Sequence, residues 1–290
     1  MKKYIIFGIL VLIGSHLLSQ EHYLIPNVDH LGNERSIHNE IRSSNIQENV
    51  MYYNNHSDFA IDYNEITKKY IVKYLNYSWI DKIMGLGGFY FPLFEAKFNK
   101  YNLPIELKYL AVVESNLNPR AKSPVGASGL WQFMPATGKQ YGLGKNQEVN
   151  LFYDPVASTE SACKYLSRLY KLLGDWRLVL SAYNAGEGTV LKAIKKAGTK
   201  EYWKVRNFLP KETRAYVPSF YAVSYVFNFY REHNIKPRNF ALSYSNVLIS
   251  RSKEQIYINE LKDKENYVFL NPQFIKGVIP KGAFYYSYNF

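Results

Sequence analysis

Leu103-Pro104-Ile105-Glu106-Leu107-Lys108-Tyr109-Leu110-Ala111-Val112-Val113-Glu114-Ser115 is the stretch from which the rest of the chain can be read. Its spacing predicts a helix with Pro104 in the first turn, where a missing N–H costs nothing. Counting i, i+3, i+4 and i+7 from Leu107 gives Leu107, Leu110, Ala111 and Glu114, so an acid ends an apolar stripe. A carboxylate in apolar surroundings is costly to ionise, and its pKa rises. A carboxyl protonated near neutral pH is what general acid catalysis requires. A glutamate that reaches water at a helix end fits the same spacing.

Beyond Ser115 the periodicity stops. Residues 116–138 are dense in glycine and small polar residues, with Gly126 and Gly129 followed by Trp131-Gln132-Phe133-Met134-Pro135. Aromatic and thioether surface interleaved with an amide suits a sugar, which offers apolar C–H faces and hydroxyl edges. A connection followed by core aromatics is the plainer alternative. A third patch, Ser181-Ala182-Tyr183-Asn184-Ala185-Gly186, closes a short helix that starts near Asp175, and Gly186 also reads simply as its cap.

Together these patches resemble the lytic transglycosylases of the goose-lysozyme-like superfamily, specifically the membrane-bound D type. That family's Glu-Ser pair is similar to Glu114-Ser115, its Gly-Leu-(Met/Trp)-Gln-x-Met-Pro-x-Thr element to Gly129–Thr137, and its Ala-Tyr-Asn-Ala-Gly to Ala182–Gly186. Lys211-Glu212-Thr213-Arg214-Ala215-Tyr216-Val217-Pro218 resembles a fourth family element. The resemblance runs over roughly residues 86–235 and rests on four ordered elements rather than one short motif. It implies a mainly α, lysozyme-like (goose-type) catalytic domain that cleaves the bond between N-acetylmuramic acid and N-acetylglucosamine without water, leaving 1,6-anhydro ends. It also implies that Glu114 is the single catalytic acid and base. By the same carry-over Ser123, Gln132 and Met134 contact the sugar or position Glu114, and Tyr183, Asn184 and Tyr216 line the groove. Ser115 and Thr137 are as readily assigned to the fold.

The acids in the matched region agree with one carboxyl in both roles. Hydrolytic glycosidases usually flank the bond with two carboxyls. Between Glu114 and Tyr183 stand Glu148, Asp154, Glu160 and Asp175, of which Asp154 and Asp175 read as helix caps. All six histidines lie outside residues 104–220, so no zinc site or histidine-activated nucleophile is expected, and no cofactor. A lysozyme-type muramidase and a catalytically silent glycan-binding protein remain the competing functions.

Composition sets the partner class. The formal net charge is +12, which suits an anionic polymer such as cell-wall glycan with its lactyl and peptide carboxylates. No helix-turn-helix, zinc-finger or RNP-type signature stands in the chain, and no block of five basic residues, so nucleic acid is not expected. The expected partner is the peptidoglycan strand, with peripheral envelope association and a monomeric state.

Organisation follows from punctuation. Met1-Lys2-Lys3 and the apolar run Tyr4–Leu18 read as a signal peptide over 1–20, with a retained anchor as the alternative, and predict export to the periplasm or cell envelope. No cysteine follows the run, unlike lipid-anchored relatives; the one cysteine is Cys163. Residues 21–85 read as a polar arm, through about 57, and an N-terminal helical extension, with a helix over 61–77 striped by Ile66, Tyr70, Val72 and Leu75. The catalytic domain is expected over 86–236. Its helices are read at 89–101, at 155–173 capped by Asp154, after Asp175, at 189–197, and at 211–233 with a kink or break at Pro218. Residues 237–290 read as a small α+β module, with strands at 240–249 and 278–290 and a short helix at 254–262. Its strand–helix–Asn-Pro–strand order is similar to a glycan-binding LysM repeat, and a separable module without binding activity fits equally well.

Overall fold

A computed structural model describes residues 43–57, 59–239 and 242–288. The expected signal peptide and most of the polar arm, up to residue 42, lie outside the described residues. The described chain is mainly helical, with a small α+β segment at its C-terminal end.

The arm is not polar throughout. Ser43–Asn54 forms α1, which buries Ile46, Val50 and Tyr53. Those positions are spaced i, i+4, i+7, a helical signal hidden among Asn, Gln and Glu. Glu65–Leu75 (α2) starts four residues later than the sequence suggests, because the Asn64 carboxamide caps it by accepting from Ile66 N and Thr67 N at 3.0 Å each. Its buried face is Thr67, Ile71 and Leu75, so of the predicted stripe only Leu75 is fully buried, while Ile66, Tyr70 and Val72 are half-buried.

Ile80–Lys100 (α3) begins nine residues before the expected start, running through three glycines. Gly87 is there for contact: a Cβ would lie 2.7 Å from the Phe227 ring. The decisive stretch enters as a 3-10 turn, Ile105–Lys108, and becomes α-helical only over Tyr109–Ser115 (α4). A short Pro135–Gln140 helix (α5) follows the Gly-rich connection.

Pro155–Leu173 (α6) and Trp176–Ala185 (α7) match their predicted spans, and Asp154 and Asp175 cap them through their carboxylates. Glu187–Ala197 (α8) and Tyr202–Val205 (α9) lead into Lys211–Phe229 (α10). Pro218 does not break α10. It leaves the Arg214 carbonyl without its intrahelical donor, and the Arg206 guanidinium fills that role at 2.9 Å. The helix ends at Phe229, short of His233, in a turn. α10 lies against α2, α4 and α7 and is the spine of the core.

In the C-terminal segment, Val247–Arg251 (β1) pairs antiparallel with Phe284–Tyr288 (β4), and Ile256–Tyr257 (β2) with Val278–Ile279 (β3). The helix lies at Lys264–Leu270 (α11), not at 254–262, where β2 and a 3-10 turn stand instead. The segment is not set apart from the helices. Tyr244, Leu270 and Tyr286 belong to the same buried core as α3 and α10, and Phe89 lies 5.3 Å from Tyr244 and 4.8 Å from Phe269 between ring centroids. Arg120 Nε donates to Pro272 O at 2.9 Å, and Asn150 N to Gln273 O at 2.9 Å. Removing the segment would therefore expose core.

Candidate active site

Glu114 is the penultimate residue of α4. The residue is half-buried as a whole, and its carboxyl end is the enclosed part. Burial pushes the Glu114 carboxyl up to about 8, and a hydrogen bond from the Tyr216 hydroxyl to Oε1 works in the opposite direction. Among the described residues no charged group contributes to that balance. The acid is therefore protonated at neutral pH.

Its backbone setting is strained. Asn116 and Leu117, directly after the Glu-Ser pair, hold φ of 52° and 61°, and Gln132 holds 46°. Left-handed conformations cost non-glycine residues about 1–2 kcal/mol each, and such residues collect at functional sites. The strain is held by ties between the patches. The Ser115 hydroxyl reaches the carbonyls of Ala111 at 3.0 Å and Leu130 at 2.9 Å, locking the end of α4 onto the Gly-rich connection. Gly129, at φ 83°, passes so close to the chain that a Cβ would lie 1.9 Å from Phe152 O.

The six expected sugar-contact residues divide. Tyr216 (α10) touches Glu114. Tyr183 (α7) donates to Trp131 O at 2.8 Å, and proximity to Glu114 helps to raise its own pKa, after burial. Asn184 accepts from Thr213 Oγ1 at 2.9 Å, which joins α7 to α10. Ser123 is committed to the loop: its hydroxyl accepts from Ala127 N at 2.9 Å. The Gln132 amide nitrogen is likewise spent on Gly129 O and Ala121 O, at 2.8 and 3.2 Å. Met134 is 39 % exposed and precedes α5, so its thioether is available to a ligand. Trp131 and Phe133 do not form a sugar platform. Both are core, with Trp131 between Phe94 and Phe98 and its indole N–H donating to Thr159 at 3.0 Å. Among the described residues the Thr137 side chain makes no hydrogen bond.

The N-terminal extension also reaches the site, which the motifs did not reveal. The Asn116 amide lies 3.5 Å from the Tyr77 hydroxyl, and Tyr74 of α2 is near enough to Tyr216 to contribute to its raised pKa. Both tyrosines stood on a helix read only for its stripe.

Part of the chain is similar to known proteins. Residues 92–206 match the family "Transglycosylase SLT domain". The chain is similar to membrane-bound lytic murein transglycosylase D of Escherichia coli, with 39% identity over 158 residues, covering 52% of this chain and 34% of that protein. It is also similar to the soluble lytic murein transglycosylase of Escherichia coli, with 34% identity over 128 residues, covering 42% of this chain and 20% of that protein. Among solved structures, the 70-kDa soluble lytic transglycosylase of Escherichia coli matches with a TM-score of 0.43 and 28% identity, over 52% of this chain and 25% of that one. The chain spans about a third or less of the length of these relatives. Glu114 lies within the residues that match this family.

Proposed function

We propose that the protein is a peptidoglycan lytic transglycosylase acting in the cell envelope, with residues 86–236 as its catalytic domain and glycan strands as its substrate. One observation supports this reading above the others: a lone carboxyl with its pKa near 8, hydrogen-bonded to Tyr216 and free of any second carboxylate's influence among the described residues. Of the other acids in the region, Asp154 and Asp175 are engaged at helix caps, Glu160 by Lys97 and Tyr101, and Glu187 by Arg168.

The chemistry follows from that isolation. Tyr216 donates to Oε1, so the acidic proton is carried by Oε2 and passes to the glycosidic oxygen between the muramyl and glucosaminyl residues. The bond to the muramyl C1 breaks, and the substrate's own N-acetyl carbonyl stabilises the cationic centre. Glu114 is then a carboxylate, and the Tyr216 hydrogen bond favours that charged form. It takes the proton of the muramyl 6-hydroxyl, whose oxygen closes on C1 to give the anhydro ring. Acid and carboxylate are regenerated in turn, and no water is consumed. Met134, Tyr183 and Asn184 line the path of the strand, and Ser115, Ser123 and Gln132 hold the loop that shapes it.

Digestion of purified peptidoglycan followed by mass spectrometry tests the reading. Anhydromuropeptides are expected; products heavier by one water would make the enzyme a muramidase, and no release at all would leave a glycan-binding protein.

A further inference from the structure

Where the C-terminal segment meets the helical domain there is a cleft of about 890 Å³. Its apolar walls include Ile249 and Phe284, which are 58 % and 60 % exposed on neighbouring strands. Lys97, Lys100 and Lys145 line it, against the acids Asp154 and Glu160. Glu160 is held ionised, down to about 2, by Lys97 at 2.7 Å and by Tyr101, with Lys100 at 3.6 Å. Asp154 is shifted upward by burial and engaged by its cap and by Tyr286. Lys145 is exposed and has no acidic partner among the described residues, so the cleft carries unmatched positive charge.

A buried acceptor of Gln273, a residue in the wall of the cleft, is also unmatched. Asn271 Nδ2 donates to Tyr267 O and Tyr286 O, which fixes its Oδ1 as an acceptor, and Tyr286 N donates to that oxygen at 2.8 Å. Gln273 Nε2, 3.4 Å from the same oxygen, must therefore be the donor of its amide. That leaves Gln273 Oε1 buried with no partner, in a residue that is 1 % exposed. A buried acceptor left unpaired costs about 1–3 kcal/mol, and a ligand N–H would relieve it.

We propose that this cleft is a second substrate-binding site, taking the acidic stem peptide of the strand, with its carboxylates among the lysines, an amide N–H on Gln273 Oε1 and its apolar side chains against Phe284 and Ile249. The identity of the peptide rests on the peptidoglycan reading; the cleft's demand for an anionic N–H donor does not. The site joins residues of both regions, so it exists only when the C-terminal segment is docked.

Calorimetry on the full chain carrying Glu114→Gln, with N-acetylmuramyl-L-alanyl-D-isoglutamine as the probe, tests it. Saturable binding is expected, weakened at least tenfold by Lys145→Glu and by Gln273→Leu, and weakened by added salt. Chitotetraose, a neutral glycan, is expected to show no dependence on either variant. Lys145 has an exposed side chain, so Lys145→Glu keeps the test valid even if Gln273→Leu does not fold. Probe affinity within twofold of the parent in Lys145→Glu would overturn the proposal, as would chitotetraose binding lost in the same variant. The probe has no bond for the enzyme to cleave, so its binding is read independently of whether the parent enzyme releases anhydromuropeptides.

Discussion

Two buried acids in this molecule each receive a tyrosine hydroxyl, and their surroundings otherwise differ. At the candidate active site Glu114 has, among the described residues, Tyr216 alone. At the junction with the C-terminal segment Asp154 has the Val156 and Ala157 amides at 2.8 and 2.9 Å, together with the Tyr286 hydroxyl at 2.9 Å from both oxygens. Burial pushes both pKa values up, but the Asp154 carboxylate is met by donors on every side that a helix N-terminus provides. Glu114 stands at the other end of its helix, where the backbone offers carbonyls instead. With few donors to its charged form, Glu114 stays protonated at neutral pH; with donors from its helix and from Tyr286, Asp154 braces two regions.

The largest effect that could break this contrast is on turnover. Glu114→Gln keeps the shape and removes the exchangeable proton, so kcat on peptidoglycan should fall about a hundred- to ten-thousand-fold while the far-UV circular dichroism holds. Asp154→Asn, which retains a capping side chain, should stay within about threefold of the parent rate. A reversal of those two outcomes would put the chemistry at the junction.

Stability should respond the other way round. Asp154→Ala removes a helix cap and leaves the buried Tyr286 hydroxyl unpaired, a loss of about 2–4 kcal/mol that denaturant titration can read. Because Tyr286 and Tyr244 share the core of α3 and α10, the same variant should melt in a single transition. An early separate transition for the C-terminal segment would mean that the junction is weaker than its contacts indicate.

The difference between the acids also shows what a sequence displays. Asp154 and Asp175 were legible as caps because an acid before a helical start has one local meaning. Glu114 was legible for a similar reason, as a polar residue on an apolar stripe. What stayed hidden depends on distant contacts. Tyr286 reaches Asp154 across 132 positions, and no local pattern announces it. Trp131 and Phe133 looked like a sugar platform because exposure cannot be read from aromatic identity, and the fold assigns them to the core. Pro218 predicted a kink because the rescue by Arg206 lies outside its helix. Gly85 to Gly88 obscured the start of α3 because glycine marks both breaks and close packing.

The pH dependence sharpens the comparison through two independent readouts. Glu114 titrates near 8 when folded and near its ordinary value of 4.5 when unfolded. Between those values the folded chain holds the extra proton, so stability falls as pH rises through that window and levels off above it. The slope is at most about 1.4 kcal/mol per pH unit. Glu114→Gln lacks this term, so its Tm should exceed the parent's increasingly from pH 5 to 8. The kcat/KM of the parent should decline above about pH 8, as the acid form is lost. A rate flat to pH 10 with a constant Tm difference would make Glu114 an ordinary solvated acid.

The smallest effect isolates the one hydrogen bond that the active-site acid does have. Tyr216→Phe removes a donor that favours the carboxylate, so the Glu114 pKa should rise further and the alkaline limb of kcat/KM should move to higher pH. Below that limb the first proton transfer is not impaired, since a protonated acid needs no donor on Oε1. The cost should instead appear once Glu114 is a carboxylate, as a fall in kcat of about three- to tenfold, the scale of one modest hydrogen bond. If Tyr216 only filled space, Phe would leave both the limb and kcat in place. If Tyr216 were the proton donor itself, Phe would abolish turnover as fully as Glu114→Gln does, and the role of the isolated carboxyl would pass to the tyrosine.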